Sequence, residues 1–197
     1  MRKALVGCLL VAILGAPSLA AENTYSVGGG IAVGSVEVDD GGEIDSEGAY
    51  AAFRVNARHG AILLFSLSAT SGDETSSANI GTTTVNFQVD DSFLRVGVGA
   101  GYMFRRDSVF RLFFHGGFSY LDAQEEIDGS DSVDDSSFAL SLGGGVEVGR
   151  GHHAVYLNAG FDYDHDVEYA VANSAGNLSE RSSFNMLELQ VGYIYNF

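Results

Sequence analysis

The sequence predicts an all-β protein: an eight-stranded antiparallel up-and-down transmembrane β-barrel. Three observations carry that expectation. After residue 20, eight segments alternate apolar with polar or tiny residues at period two, as strands do with one face in hydrocarbon and one in a polar medium. The connections between them alternate between tight and long, the habit of barrels with short turns on one side of a membrane and long loops on the other. The closing stretch 187–197, LELQVGYIYNF, sets Leu187, Leu189, Val191, Tyr193, Tyr195 and Phe197 against Glu188, Gln190, Gly192, Ile194 and Asn196.

In chain order, residues 1–20 read as a cleaved signal peptide. Arg2 and Lys3 precede an apolar run from Ala4 to Leu14, and Ser18, Ala20 and Ala21 offer small residues for a cut after Ala20 or Ala21. The run is shorter than the roughly 20 residues of a spanning helix. A lipoprotein box at Leu5-Val6-Gly7-Cys8 is discounted, since a cut there leaves almost no apolar core before it. Residues 21–197 then form one barrel domain without cysteine, which excludes a disulfide scaffold and a thiolate metal site.

The strand segments are Tyr25–Val38, Ala49–Ala57, Ala61–Thr70, Thr84–Phe104, Val109–Leu121, Ser137–Gly149, Ala154–Val171 and a last one from near Phe184. Their number is even, as antiparallel closure of a bacterial single-chain barrel requires. Tight connections fall at 58–60, 105–108 and 150–153. Long polar ones are expected at 39–48, 71–83, 122–136 and 172–183. The fourth and seventh segments exceed the roughly 10 residues of a membrane crossing and are expected to project beyond it. Aromatics gather at both ends of the strands, with Tyr102, Phe104 and Phe110 toward the turns and Phe118, Tyr120, Tyr163 and Tyr169 toward the loops, as interfacial girdles do.

Eight arginines stand against 26 acidic residues after residue 20, a difference of −18. Nucleic acid is excluded as a partner, because phosphate binding needs clustered cations.

The C-terminal stretch, with Leu189, Val191, Tyr193, Tyr195 and terminal Phe197, resembles the C-terminal targeting strand of bacterial outer-membrane β-barrels. The whole mature chain resembles the small barrels of the OmpA-transmembrane-domain, OmpX and opacity-protein type. The resemblance implies an integral outer-membrane location and recognition of the last strand by the outer-membrane assembly machinery. It also implies contact with lipid and lipopolysaccharide, and a monomeric, non-enzymatic structural or surface role without cofactor, in which the acidic loops meet a host or surface ligand. A narrow ion or solute channel is the alternative, and a lipid-modifying enzyme a third.

With the apolar faces outward, Arg54, Arg95, Arg111, Glu147, Asp162 and Glu188 are predicted to point into the barrel, along with His115, Asn158 and Gln190. An eight-stranded interior has room for side chains and little else. Three cations and three anions confined there are expected to pair in a network, with Gly97, Gly99, Gly101, Gly143 and Gly145 making room for the long arginines.

The remaining motifs are weak. Asp162, Asp164, Asp166 and Glu168 read as carboxylates on one face of a strand, but they lack the glycine and distal glutamate of a calcium loop. Acidic residues at 122–135 suggest only diffuse divalent-cation binding near lipopolysaccharide phosphates, and no defined metal site. His115 reads as the only histidine within a spanning strand, with Ser119 on the same face, yet nothing matches the lipid-facing Ser and His of lipid A deacylases. His152-His153 is too sparse for a metal. Gly97-Val-Gly99-Ala-Gly101 opens no helix and is no dinucleotide site.

Overall fold

A computed structural model describes residues 24–38, 43–57, 59–80, 83–105, 107–127, 133–173 and 176–197. The proposed signal peptide and the turn residues Arg58 and Arg106 lie outside them. The strands are β1 (Thr24–Val38), β2 (Glu43–Asn56), β3 (Ala61–Ile80), β4 (Thr83–Phe104), β5 (Phe110–Ile127), β6 (Val133–Arg150), β7 (His153–Asn173) and β8 (Gly176–Asn196). Each pairs antiparallel with the next, and β1 closes on β8 from Ser26↔Asn196 to Val38↔Phe184. Closure leaves no free edge within the membrane, where an unpaired backbone group would find no water.

The tight turns form as their residues dictate. Gly60 takes a φ of 92°, donates to the Ala57 carbonyl at 3.1 Å and accepts from Met103 N–H at 2.7 Å. A Cβ there would stand 2.7 Å from the Met103 carbonyl oxygen, so glycine serves both the conformation and the approach.

Side chains alternate between an apolar exterior and a mixed interior. Ile31, Phe118 and Leu142 are more than 60% exposed on the outer surface, whereas Ala32 and Leu121, inward in the pleat, are fully buried. This outer band of Val, Leu, Ile and Phe is a solvent-facing liability in water and the natural surface in hydrocarbon. Exposed Glu37, Asp45, Glu47, Asp90 and Asp164 end the band on the side away from the turns.

Beyond that boundary the long loops expected from sequence are mostly strand. The β3–β4 ladder continues to Ile80↔Thr83, β7–β8 to Asn173↔Gly176 and β5–β6 to Glu125↔Val133. β2 starts at Glu43 and β8 at Gly176, well before the alternation begins. The reason is physical: outside hydrocarbon no strand must keep one apolar face, so residues 73–79 and 177–183 carry no period-two signal, although Val85, Phe87 and Val89 on β4 still alternate. At about 3.4 Å per residue, half of the 22-residue β4 suffices to cross a bilayer. The ladders also partition. β3, β4, β5 and β6 stay paired outward, while the described register of β6 with β7 ends at Leu140↔Tyr163 and that of β2 with β3 at Glu47↔Ser71.

Candidate functional site

The barrel interior is layered, and the layers come from strands far apart in sequence. Nearest the turns lies a charged layer. Glu147, fully buried on β6, accepts from Arg54 Nη2 on β2 at 2.6 Å through Oε2. Its Oε1 is 2.6 Å from Arg111 Nη2 and accepts from Asn196 Nδ2 at 3.3 Å. Arg54 Nε donates to Asn56 at 2.7 Å, and Asn56 in turn donates to Ser26 at 2.8 Å. Two guanidiniums thus share one carboxylate.

Above it is an apolar belt of Ala32, Tyr50, Ala52, Ile62, Leu64, Met103, Phe113, Tyr156 and Ile194. Phe113 and Tyr156 stack with centroids 5.4 Å apart, and Tyr50 leans on Tyr156 at 5.9 Å. The Arg54 guanidinium sits 5.8 Å from the Phe113 ring centroid, so the belt also meets the charge below through the ring face.

The next layer is polar again, with the opposite balance. Arg95 on β4 grips Asp162 on β7 with two hydrogen bonds, Nε to Oδ2 at 2.5 Å and Nη2 to Oδ1 at 2.8 Å. Its Nη1 lies 3.9 Å from Glu188 on β8. Ser68 donates to Glu188 at 2.6 Å, and Gln190 donates to the same carboxylate by a short contact. Asn158 Nδ2 donates to Gln190 at 3.3 Å, and the His115 Nε2 is 3.2 Å from the Asn158 carbonyl oxygen. One guanidinium thus serves two carboxylates, with hydroxyls and amides filling the difference. A second apolar cluster, Val36, Phe93, Leu121, Phe184 and Met186, caps this layer toward the ribbons.

The structure brings all six predicted charged residues inside, but in two clusters rather than one network. Arg54, Arg111 and Glu147 lie below the belt, and Arg95, Asp162 and Glu188 above it. Alternation hides the belt, because the inner face of each strand is the more polar one and Tyr50, Phe113 and Tyr156 are inward aromatics on those faces. The glycines make room less for arginines than for rings. A Cβ at Gly143 would stand 2.6 Å from the His115 ring, and one at Gly145 would stand 2.7 Å from Phe113. Gly97 does border Arg95, but a Cβ at Gly101 would strike the Phe114 carbonyl of the neighbouring strand.

Asp162, Asp164, Asp166 and Glu168 do not share a face. A bulge between Asp162 and His165, with Asp164 at a φ of 65°, shifts the pleat so that Asp162 and His165 both point inward. Asp164 and Asp166 face out, and the side chain of Glu168 lies outside the described residues. Among non-glycine residues, aspartate is one that tolerates this conformation. His165 is therefore a second interior histidine, and Ser119 meets it, 3.5 Å from Nε2, rather than His115. Ser137 Oγ is 2.7 Å from His165 Nδ1, and Asp162 is 3.4 Å from Nε2. A hydroxyl, an imidazole and a carboxylate in that order suit nucleophilic chemistry. Here the imidazole is fully buried under the cap and the carboxylate is already held by Arg95.

At the C-terminus, β8 is paired on both sides, with β1 and β7. Leu189, Val191 and Tyr193 are each a little under half exposed on the outer face and Phe197 more so. Tyr195 packs edge-on against Phe197 with centroids 4.9 Å apart. Near the turns, Tyr102, Phe104 and Phe114 form an outward ring cluster, and Tyr120 meets Phe138 nearer the ribbons. The side chain of Tyr169 lies outside the described residues.

The sequence of this chain matches the family model described as outer membrane protein beta-barrel domain over residues 6–197. The chain belongs to that family. Membership puts it in the bacterial outer membrane, where bacterial barrels keep their tight turns at the periplasmic end. No curated protein matches its sequence. Among solved structures of the outer-membrane barrel fold, it is similar to Ail, the attachment invasion locus protein of Yersinia pestis, at 17% identity and a TM-score of 0.58, covering 89% of this chain and 99% of that one. It is also similar to Neisserial surface protein A at 14% identity and 0.60, covering 88% and 97%. A major outer membrane protein from Thermus thermophilus aligns at 13% identity and 0.60, covering 89% and 99%. At such identities the likeness is one of fold.

Proposed function

We propose that this protein is a closed, non-enzymatic outer-membrane barrel whose work is done by its outward β-ribbons as an interaction surface. The filled interior carries the reading. Among the described residues, the cavity beside Arg95, Ser66 and His115 has a volume of about 10 Å³, which is room for at most one water. The Tyr50–Phe113–Tyr156 belt below and the Phe93–Phe184 cap above support a closed interior. The Ser137–His165–Asp162 arrangement is buried, with relative exposures of 8%, 0% and 1%.

The exposed carboxylates Glu37, Asp45, Glu47, Asp90 and Asp164 ring the barrel at the outer headgroup level. Cations bridging them to lipopolysaccharide phosphates would seat the barrel there, and a ligand docking on this collar would carry positive charge. Ail has been solved with the heparin analogue sucrose octasulfate; a polyanion of that kind is the wrong sign for this collar. Leu189, Val191, Tyr193, Tyr195 and Phe197 serve as the strand that the assembly machinery reads, and the barrel works as a monomer.

The polar chain from His115 through Asn158, Gln190, Glu188, Arg95 and Asp162 to His165 favours a second reading, an ion path. Planar-bilayer recording of the refolded mature protein separates the two. The closed reading expects a compact unheated gel band and a silent bilayer, and reproducible conductance steps from the wild-type chain would overturn it.

A further inference from the structure

We propose that the periplasmic mouth of the barrel is a binding site for a small oxyanion, a carboxylate or phosphate group. A cleft of about 300 Å³ opens there, lined by Arg54, Asn56, Arg111 and Asn196, with the exposed His152 and Asp107 also on its wall. Met103 of the belt forms part of its wall. Both oxygens of Glu147 are already engaged, by Arg54 on one side and by Arg111 and Asn196 on the other. The cluster therefore keeps one positive charge in excess.

The donors follow the charge. Arg54 gives Nε to Asn56 and Nη2 to Glu147, yet its Nη1 has no hydrogen-bond partner although the residue is only 1% exposed. Arg111 Nη2 is taken up by Glu147 Oε1 at 2.6 Å, but its Nε has no hydrogen-bond partner. A buried guanidinium N–H without an acceptor is costly. A planar or tetrahedral oxyanion in the cleft accepts from both arginines at once, the geometry guanidinium is built for. Asp107 is the one side-chain carboxylate on the cleft wall among the described residues, and it opposes the anion.

The test is side-chain NMR of ¹⁵N-arginine-labelled mature protein in nanodiscs of phosphatidylcholine, titrated separately with inorganic phosphate and with acetate. Saturable shifts at Arg54 and Arg111, with Arg95 unmoved, are expected. Arg111→Gln leaves the Arg54–Glu147 pair and should weaken binding roughly tenfold, the loss of one charge-assisted contact. Glu147→Gln keeps both cations and should strengthen it, and Asp107→Asn should leave it equal or stronger. Doping the discs with phosphatidylglycerol assigns the source. A shift of the same resonances without soluble anion points to a lipid headgroup, and silence there with saturation by phosphate or acetate points to a periplasmic solute. Unsaturable shifts with every probe, an equal response at Arg95, or undiminished affinity in Arg111→Gln would overturn the proposal. Conductance is independent of all these outcomes.

Discussion

On the periplasmic side of the aromatic belt, two arginines share Glu147 next to an open cleft; on the other side, one arginine serves Asp162 and Glu188 between two apolar layers. The clusters carry opposite excess charge, and each excess sits where the barrel wall can support it. A surplus carboxylate can be met by neutral donors, and Ser68 and Gln190 stand around Glu188 with that role. A surplus guanidinium needs acceptors. Here the extra cation lies beside a cleft that water or an anion can enter. Sealed and open clusters should therefore answer differently to the same insult.

The largest effect is expected from Arg95→Met. It strands two carboxylates between apolar layers, which costs about 3–5 kcal/mol, read as a loss of the compact gel form and a lower urea midpoint in lipid vesicles. Phe113→Ala removes the ring between the belt and Arg54. It should cost about 3 kcal/mol or more and, combined with Tyr156→Ala, should admit ion steps in a planar bilayer that the parent lacks. Glu147→Gln leaves two cations at the wet end and should cost less than Arg95→Met, about 1–3 kcal/mol, by the same urea titration. If it proves the costlier of the two, the distinction between a sealed and an open cluster fails. Asp164→Gly relieves the left-handed backbone at the bulge and should be neutral or stabilising by up to about 1 kcal/mol. Asp164→Val should destabilise, because a β-branched side chain resists that conformation. On the outer collar Glu37→Gln should change stability by no more than about 0.5 kcal/mol.

The membrane-spanning part is legible in the sequence because hydrocarbon forces period two on every strand, and the short turns between Asn56 and Ala61 or Arg150 and His153 punctuate it. The outward ribbons are less so, since Gly72–Ile80 and Gly176–Ser183 pair with β4 and β7 although their sequences show no alternation. All six interior charges can be placed from alternation alone. Their grouping cannot, because partners such as Arg54 and Glu147 are set by registers across the whole barrel. His165 escapes the alternation for a local reason: one aspartate in a left-handed conformation slips the pleat, and nothing in Asp162-Tyr163-Asp164-His165 announces it beyond aspartate's tolerance for that shape.

The pairs that fill the barrel also constrain how it is made. Arg54 and Glu147 are 93 residues apart, Arg95 and Asp162 are 67, and Ser68 and Glu188 are 120. None of these can meet until β6, β7 and β8 have taken their places. A one-residue slip of any of those strands would turn its carboxylate out toward lipid. The interior charges thus work as a checksum on strand alignment. They give little to an incomplete sheet, penalise a misaligned one, and reward only the closed form, so insertion should finish in one late, cooperative step.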